Sequence, residues 1–161
     1  MATTPEQKLE GIGGWLILVL IGLVVSPIRI GMHAYQNFAP IFSDGTWEAL
    51  TSPSSEAYHK LWAPLISFEI AGNIAIILLG LVTLYFFVTK SRHTPRVAIA
   101  WLLTGVVFVI GDFFLADLIP LIAAQPTGAD TIKEVARSLI GAAIWVPYFL
   151  VSKRVKATFV R

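Results

Sequence analysis

Four long apolar runs alternate with short polar segments along the chain. The runs cover about residues 13–32, 64–88, 97–123 and 132–151. Each has roughly the 20 residues that a helix needs to cross a bilayer. None alternates between apolar and polar residues as barrel strands do, and helices satisfy their own backbone hydrogen bonds in lipid. The pattern predicts an all-α membrane protein: one four-helix transmembrane bundle over residues 1–161.

The composition supports a membrane protein and excludes several kinds of site. Of the 161 residues, 56% are hydrophobic and 14% charged, against about 45–50% and about 25% in soluble domains. The length leaves no room for a sizeable soluble domain. The chain has no cysteine, which removes disulfides, thiolate catalysis and Cys-ligated metals. No histidine pair has the spacing of a metal motif, so we expect no metal and no cofactor.

Basic residues are concentrated on one side of the predicted spans. They fill the second connection and the C-terminal tail, while the outer loop 36–63 holds only Lys60 and the third connection holds none. Lys8 adds one more basic residue before the first span. Since cytoplasmic loops are rich in Lys and Arg, both termini are predicted to be cytoplasmic. The residues expected to bind anionic lipid headgroups are Lys90, Arg92, Arg96, Lys153, Arg154 and Lys156. A net charge of +2 gives no reason to expect a nucleic-acid partner.

Five charged residues lie three or more positions inside the predicted spans: Arg29, Glu69, Asp112, Asp117 and Arg137. Ionised groups in hydrocarbon are costly, so they usually pair, line a wet cavity or take part in function. At about 1.5 Å per residue, two arginines and two acids lie in one layer near the outer ends of four helices. The remaining residue, Asp112, is predicted to lie deeper, near the middle of the membrane.

These charges have three interpretations. The first, which the sequence favours, is a structural network in which Arg29 pairs with Glu69 and Arg137 with Asp117. The second is an outward-facing polar cavity that binds a small solute or relays protons. In the third, a partner protein supplies the missing counter-charges.

Asp112 has no basic partner at its predicted depth. Asn73, one helical turn inward from Glu69 on the same face, could form a hydrogen bond with it. We therefore favour a hydrogen-bonded structural acid over a proton-relay group.

Pairs of small residues four positions apart recur in the runs, as Gly22 with Ser26 and Ser138 with Ala142. Such pairs usually mark close helix packing. No Walker A, GxSxG or GxGxxG motif is present, so an enzymatic function is uncertain and not favoured.

Both ends of the chain resemble one family of bacterial membrane proteins. The segments are GIGGWLILVLIGLVVSPI, from Gly11, and IWVPYFLVSKRVKATFV, from Ile144. The segment WAPLISFEIAGN, from Trp62, and the acid-bearing third span are similar as well. The family is catalogued as domain of unknown function 2569. The resemblance implies a multi-pass protein of the bacterial inner (cytoplasmic) membrane with four helices, and it implies no catalytic residues.

Taken together, the sequence favours a small accessory or interaction protein of the inner membrane. The alternative is a small-solute or proton-coupled transporter, and a weaker one is an intramembrane enzyme acting on lipid-linked substrates. Membrane lipids are the expected partners, with a larger membrane complex or a homo-oligomer as further possibilities.

Overall fold

The protein is described by a computed structural model that covers residues 10–126 and 128–161. Lys8, which entered the charge count, lies outside the described residues. Seven helices follow in order: α1 Trp15–Ser43, α2 Thr46–Thr51, α3 Trp62–Val88, α4 Thr94–Ala116, α5 Pro120–Ala123, α6 Ala129–Val151 and α7 Lys153–Thr158. Four of them (α1, α3, α4 and α6) are long and apolar enough to cross a membrane. The all-α fold with four spans is confirmed.

Helix α1 is longer than the first apolar run predicts. It begins after Gly14, whose φ of 55° favours glycine, and continues through Pro27 and Pro40 to Ser43. Its polar outer part stays helical, with the Asn37 amide and the His33 ring 3.1 Å apart. The predicted outer loop 36–63 is therefore wrong at its start, because polar residues do not end a helix by themselves.

A short structured segment joins α1 to α3. The backbone N–H of Thr46 donates to Oδ1 of Asp44 (3.0 Å) where α2 begins. Hydrogen bonding from Thr46 lowers the pKa of the exposed Asp44 carboxyl below its ordinary value. Further along, the indole N–H of Trp62 donates to the carbonyl of Ala57 (3.2 Å). Turns precede α3, which starts at Trp62.

Helix α4 ends before the third apolar run does. The run predicts a span to Ala123, whereas the helix stops at Ala116 and a short separate helix begins at Pro120. Ile119 is extended, with φ −94° and ψ 115°, as a residue before proline prefers. The sequence prediction overlooked this effect. Asp112 consequently lies about one turn from the end of α4, and not near its middle.

Gly11, Lys90 and the C-terminal residues lie together at one end of the bundle. Thr158 Oγ1 donates to the carbonyl of Gly11 (3.1 Å), and the backbone N–H of Arg161 donates to the carbonyl of Lys90 (3.3 Å). The α3–α4 turn and the C-terminal helix α7 therefore share one face. We call this face the basic end, because it gathers the lysines and arginines of both segments.

A buried apolar cluster closes the basic end. Phe87 of α3 and Phe159 beyond α7 pack with ring centroids 5.1 Å apart. The cluster draws on α1, α3, α4, α6 and the C-terminal segment, and its buried members are Leu16, Val19, Leu23, Phe87, Ala98, Phe149, Val155 and Phe159. This contact fixes the four spans together at one end only.

Away from the basic end the bundle is not closed. Neighbouring helices pack in the order α1, α3, α4, α6. Helices α1 and α6, both described in full, meet at the basic end, where the Trp15 and Trp145 rings are 6.2 Å apart. They do not pack along the rest of their length. A lateral cleft opens between the first and last spans.

Candidate functional site: a lateral cleft and an acidic pocket

The cleft between α1 and α6 is the larger cavity of the bundle, with a volume of about 310 Å³. Its lower part, towards the basic end, is lined by apolar side chains that include Leu23, Ile76, Trp101, Leu102 and Phe149. The buried cluster closes it below. The indole N–H of Trp101 donates to the Ile76 carbonyl of α3 (3.2 Å). This N–H is therefore not available to a molecule in the cleft.

Three glycines widen the cleft. Gly22 of α1, Gly105 of α4 and Gly141 of α6 all line it, and a Cβ built on any of them would meet no atom within 4 Å. The small-residue pairs that begin at Gly22 and Ser138 were predicted to mark helix packing. That prediction is wrong for Gly22, Ser26 and Ser138, because the three residues face open space in the cleft.

The upper part of the cleft is polar. Arg29 of α1, Asn73 of α3 and Arg137 of α6 line it. Each lies about 22 Å from the basic end of its helix, at about 1.5 Å per residue. The two arginines therefore occupy one level on the two helices that flank the opening.

A second, smaller cavity of about 120 Å³ lies next to the cleft on the side away from the basic end. Glu69, Asp112 and Glu134 line it from α3, α4 and α6, and His33 lines it from α1. The three acids lie about 25–28 Å from the basic ends of their helices, one turn beyond the arginines. We call this cavity the acidic pocket.

Glu69 and Asp112 are neighbours in the acidic pocket. Their carboxyl groups lie within hydrogen-bonding reach of each other, and Glu134 is close enough to Asp112 for the two charges to interact. The prediction that Asp112 lies alone beneath the other charges is wrong, because α4 ends earlier than the apolar run. Two adjacent carboxyl groups repel each other when both are ionised.

Asn73 does not hold Asp112 in place. Its side-chain amide donates to the backbone carbonyl of Glu69, one turn back in the same helix (2.8 Å). Oδ1 of Asp112 is buried and has no hydrogen-bond partner within residues 10–126 and 128–161. The predicted hydrogen bond between Asn73 and Asp112 is therefore wrong, because the nearest acceptor for the amide is its own helix.

The predicted ion pairs are not formed either. Across the described residues, the one carboxylate within 4.0 Å of a lysine or arginine nitrogen is Asp130, which contacts Lys133 at 2.9 Å on the surface. Arg29 and Arg137 line the cleft, whereas Glu69 lines the acidic pocket. Asp117 is exposed beyond the end of α4 and lines neither cavity. Both arginines thus line the cleft, Glu69 and Asp112 line the acidic pocket, and Glu134 lines both cavities.

Phe108 stands between the two cavities and lines both. Its ring packs on Gly72 of α3, where a Cβ would lie 2.7 Å from Cζ and closer still to two other ring carbons. The ring also contacts Phe68, with centroids 5.3 Å apart. Glycine at position 72 is thus required for the close approach of α3 and α4 at this level.

Glu134 is the site residue that the sequence reasoning missed. It lines both cavities, although it stands only two residues inside the fourth predicted span and was not counted among the five charges. The helix begins at Ala129 after Gly128, with no side-chain cap, so Glu134 lies inside the helix. The signal was its spacing, because Glu134, Arg137, Ser138, Gly141 and Trp145 share one helical face.

The predicted headgroup residues lie at the basic end. The side chains of Arg92, Arg96, Lys153 and Lys156 are exposed there, while Lys90 and Arg154 are half-buried. The Arg154 guanidinium lies against Gly13, where a Cβ would be 2.9 Å from Nη1. This residue therefore packs against the N-terminal segment in addition to any lipid that it contacts.

Comparison with known proteins identifies the family of the chain and agrees with a membrane location. A family model described as "Protein of unknown function (DUF2569)" matches residues 9–160. The chain belongs to the DUF2569 family. It is also 31% identical over 160 residues to the inner membrane protein YdgK of Escherichia coli (strain K12), covering 99% of each chain. No solved structure matches it. The protein is a small multi-pass protein of the bacterial inner membrane.

Replacing Asp112 with asparagine tests the acid pair. We expect Asp112→Asn to fold and to accumulate as the wild type does, because the amide keeps the shape and donates a hydrogen bond to the Glu69 carboxylate. Relief of the repulsion between the two acids should raise the free energy of unfolding by about 1 kcal/mol. Thermal denaturation in mild detergent measures the change. A large loss of stability would show that the Asp112 carboxylate itself holds the bundle together.

Proposed function

We propose that this DUF2569 protein is a non-enzymatic accessory protein that binds one amphiphilic molecule of the bilayer in its lateral cleft. The observation that carries the proposal is the cleft itself, which opens sideways between α1 and α6. Its apolar part lies towards the basic end, and its polar part lies towards the opposite end. An amphiphile entering from the bilayer would place its chain in the apolar part and its headgroup in the polar part.

The size of the cleft fits a small-molecule occupant. Small-molecule cavities usually measure about 300–1,000 Å³, and the cleft has about 310 Å³.

The distribution of charge supports an orientation with the basic end in the cytoplasm. Cytoplasmic segments carry an excess of Lys and Arg, and the basic end gathers those of the α3–α4 turn and the C-terminal tail. In this orientation, the polar part of the cleft lies in the outer half of the membrane. The occupant would therefore come from the outer leaflet.

The test is purification from native membranes in mild detergent, followed by native mass spectrometry and lipid extraction. The proposal predicts about one tightly held amphiphile for each chain, which remains after detergent washing that removes bulk lipid. A protein with no retained amphiphile would contradict the proposal. A polypeptide held at a fixed ratio in place of lipid would contradict it too, and would favour an interaction subunit of a larger complex or a homo-oligomer.

A second function, proton-coupled movement of a small solute, is favoured by the acidic pocket. Glu69 and Asp112 sit side by side at the boundary with the cleft, and Glu134 lines both cavities. A proton on this pair would alter the charge next to the occupant of the cleft. Flux in liposomes that is lost in Asp112→Asn, while the variant remains folded, would support this second function.

A further inference from the structure

The two arginines of the cleft form no ion pair in the described part of the chain. Neither guanidinium of Arg29 or Arg137 has a carboxylate within 4.0 Å there. Glu69 and Asp112 line the acidic pocket and not the cleft. Glu134, one turn from Arg137 in α6, lines both cavities, so the cleft holds two arginines and one carboxylate. Two cations at this depth in the bilayer are costly without an anion.

The arginines are also placed to act together. They lie on opposite sides of the cleft opening, at the same level of α1 and α6. Guanidinium groups match the oxygens of a phosphate with paired hydrogen bonds. Ser138, next to Arg137, and Ser26, nearly one turn below Arg29, also line the cleft and offer hydroxyl groups. An anionic group between α1 and α6 would neutralise both arginines.

The apolar part of the cleft decides which anion fits. Below Arg137 it runs for about 18 Å along α6 to Phe149 and the buried cluster, at about 1.5 Å per residue. A free ion would leave this part empty, whereas an acyl chain would fill it. The same glycines that widen the cleft, at positions 22, 105 and 141, provide the room.

We propose that the cleft binds an anionic phospholipid, with its phosphate between Arg29 and Arg137 and one acyl chain in the apolar part. This proposal rests on the proposed function and adds the chemistry of the headgroup. Arg29 and Arg137 would then bind the headgroup inside the cleft, whereas the exposed basic residues at the opposite end of the bundle would contact lipid at the membrane surface.

The experiment adds defined lipids to delipidated protein and follows binding by native mass spectrometry and thermal denaturation. The probes are phosphatidylglycerol, phosphatidylcholine with the same chains, and inorganic phosphate. Wild-type protein is expected to bind phosphatidylglycerol about tenfold more tightly than phosphatidylcholine, because both carry the phosphate but the choline cation would lie beside the two arginines and repel them. The variant Arg29→Gln/Arg137→Gln should lose this preference and still bind both lipids.

Two further variants keep the result interpretable. Arg137→Lys retains the charge but not the paired geometry, so it should keep part of the preference for phosphatidylglycerol. This variant still tests the proposal if the double variant folds poorly. Arg92→Gln/Arg96→Gln removes the same charge at the basic end and should leave the preference unchanged.

The outcomes that overturn the headgroup proposal differ from those that overturn lipid binding. Equal binding of the two lipids by the wild type would refute the headgroup chemistry and leave the proposed function intact. Equal stabilisation by inorganic phosphate would indicate a free-anion site. A preference lost only in Arg92→Gln/Arg96→Gln would place the headgroup at the basic end. Failure to bind either lipid would refute a phospholipid occupant, whereas the proposed function itself is refuted only if no amphiphile is retained from native membranes.

Discussion

Replacing Gly72 with alanine is expected to lower the free energy of unfolding by about 3 kcal/mol, as overpacking of a tight contact does. The added Cβ would overlap the ring of Phe108, which lies against the glycine. Either the ring must leave its place or α3 and α4 must separate. Since Phe108 lines both cavities, the variant should also merge or distort them. Thermal denaturation in mild detergent measures the loss.

The matched control is Gly105→Ala, in the neighbouring helix. A Cβ at Gly105 would meet no atom within 4 Å, so alanine there should be neutral or stabilise the helix by up to about 1 kcal/mol. The cause is isolated by introducing Gly72→Ala into a Phe108→Ala background, where it should cost almost nothing. An equal loss in both backgrounds would show that Phe108 is not the obstacle.

Replacing Gly141 with leucine is expected to reduce the retained amphiphile at least tenfold. The glycine lines the cleft and faces open space, so a leucine side chain would occupy the volume proposed for the acyl chain. The variant should remain folded, because the new side chain meets no neighbouring atom at its Cβ and leucine favours a helix more than glycine does. Quantitative lipid extraction per mole of purified protein measures the effect.

A leucine on the other side of the same helix provides the control for Gly141→Leu. Ala143 is exposed and does not line the cleft, so Ala143→Leu adds the same bulk to a lipid-facing surface. Its retained amphiphile should match that of the wild type. If Gly141→Leu kept its amphiphile as well, the retained molecule would lie elsewhere on the protein.

The number and type of spans followed from the sequence because hydrophobic length alone determines which segments cross a bilayer. The ends of the helices depended on local chemistry instead. Pro120 stops α4 early through its effect on Ile119, and the polar residues after Met32 continue α1 because nothing breaks the helix. The proline and the uninterrupted helical segment can both be read from the sequence, but a hydropathy pattern alone does not show where a helix ends.

The site was harder to predict, because depth along a helix does not fix the direction of a side chain. Arg29 and Glu69 both lie in the half of the bundle away from the basic end, which suggested a pair, but they line different cavities. The open cleft also had no counterpart in the sequence, since small residues spaced by four usually indicate contact between helices. Whether these small residues contact another helix or line a cleft depends on the relative placement of α1 and α6, which the packing of the whole bundle determines.

Labelling in membranes with a photoreactive phospholipid tests the central claim most directly. A lipid with a photoreactive group in its acyl chain would be activated in native membranes, and the labelled residues would be mapped by mass spectrometry. We predict strong labelling at residues that line the cleft, such as Leu18, Leu102 and Trp145. Labelling should be weaker at exposed apolar positions outside it, such as Leu78 and Val107. Equal labelling of the two sets, or labelling confined to the outer surface, would contradict a lipid bound between α1 and α6.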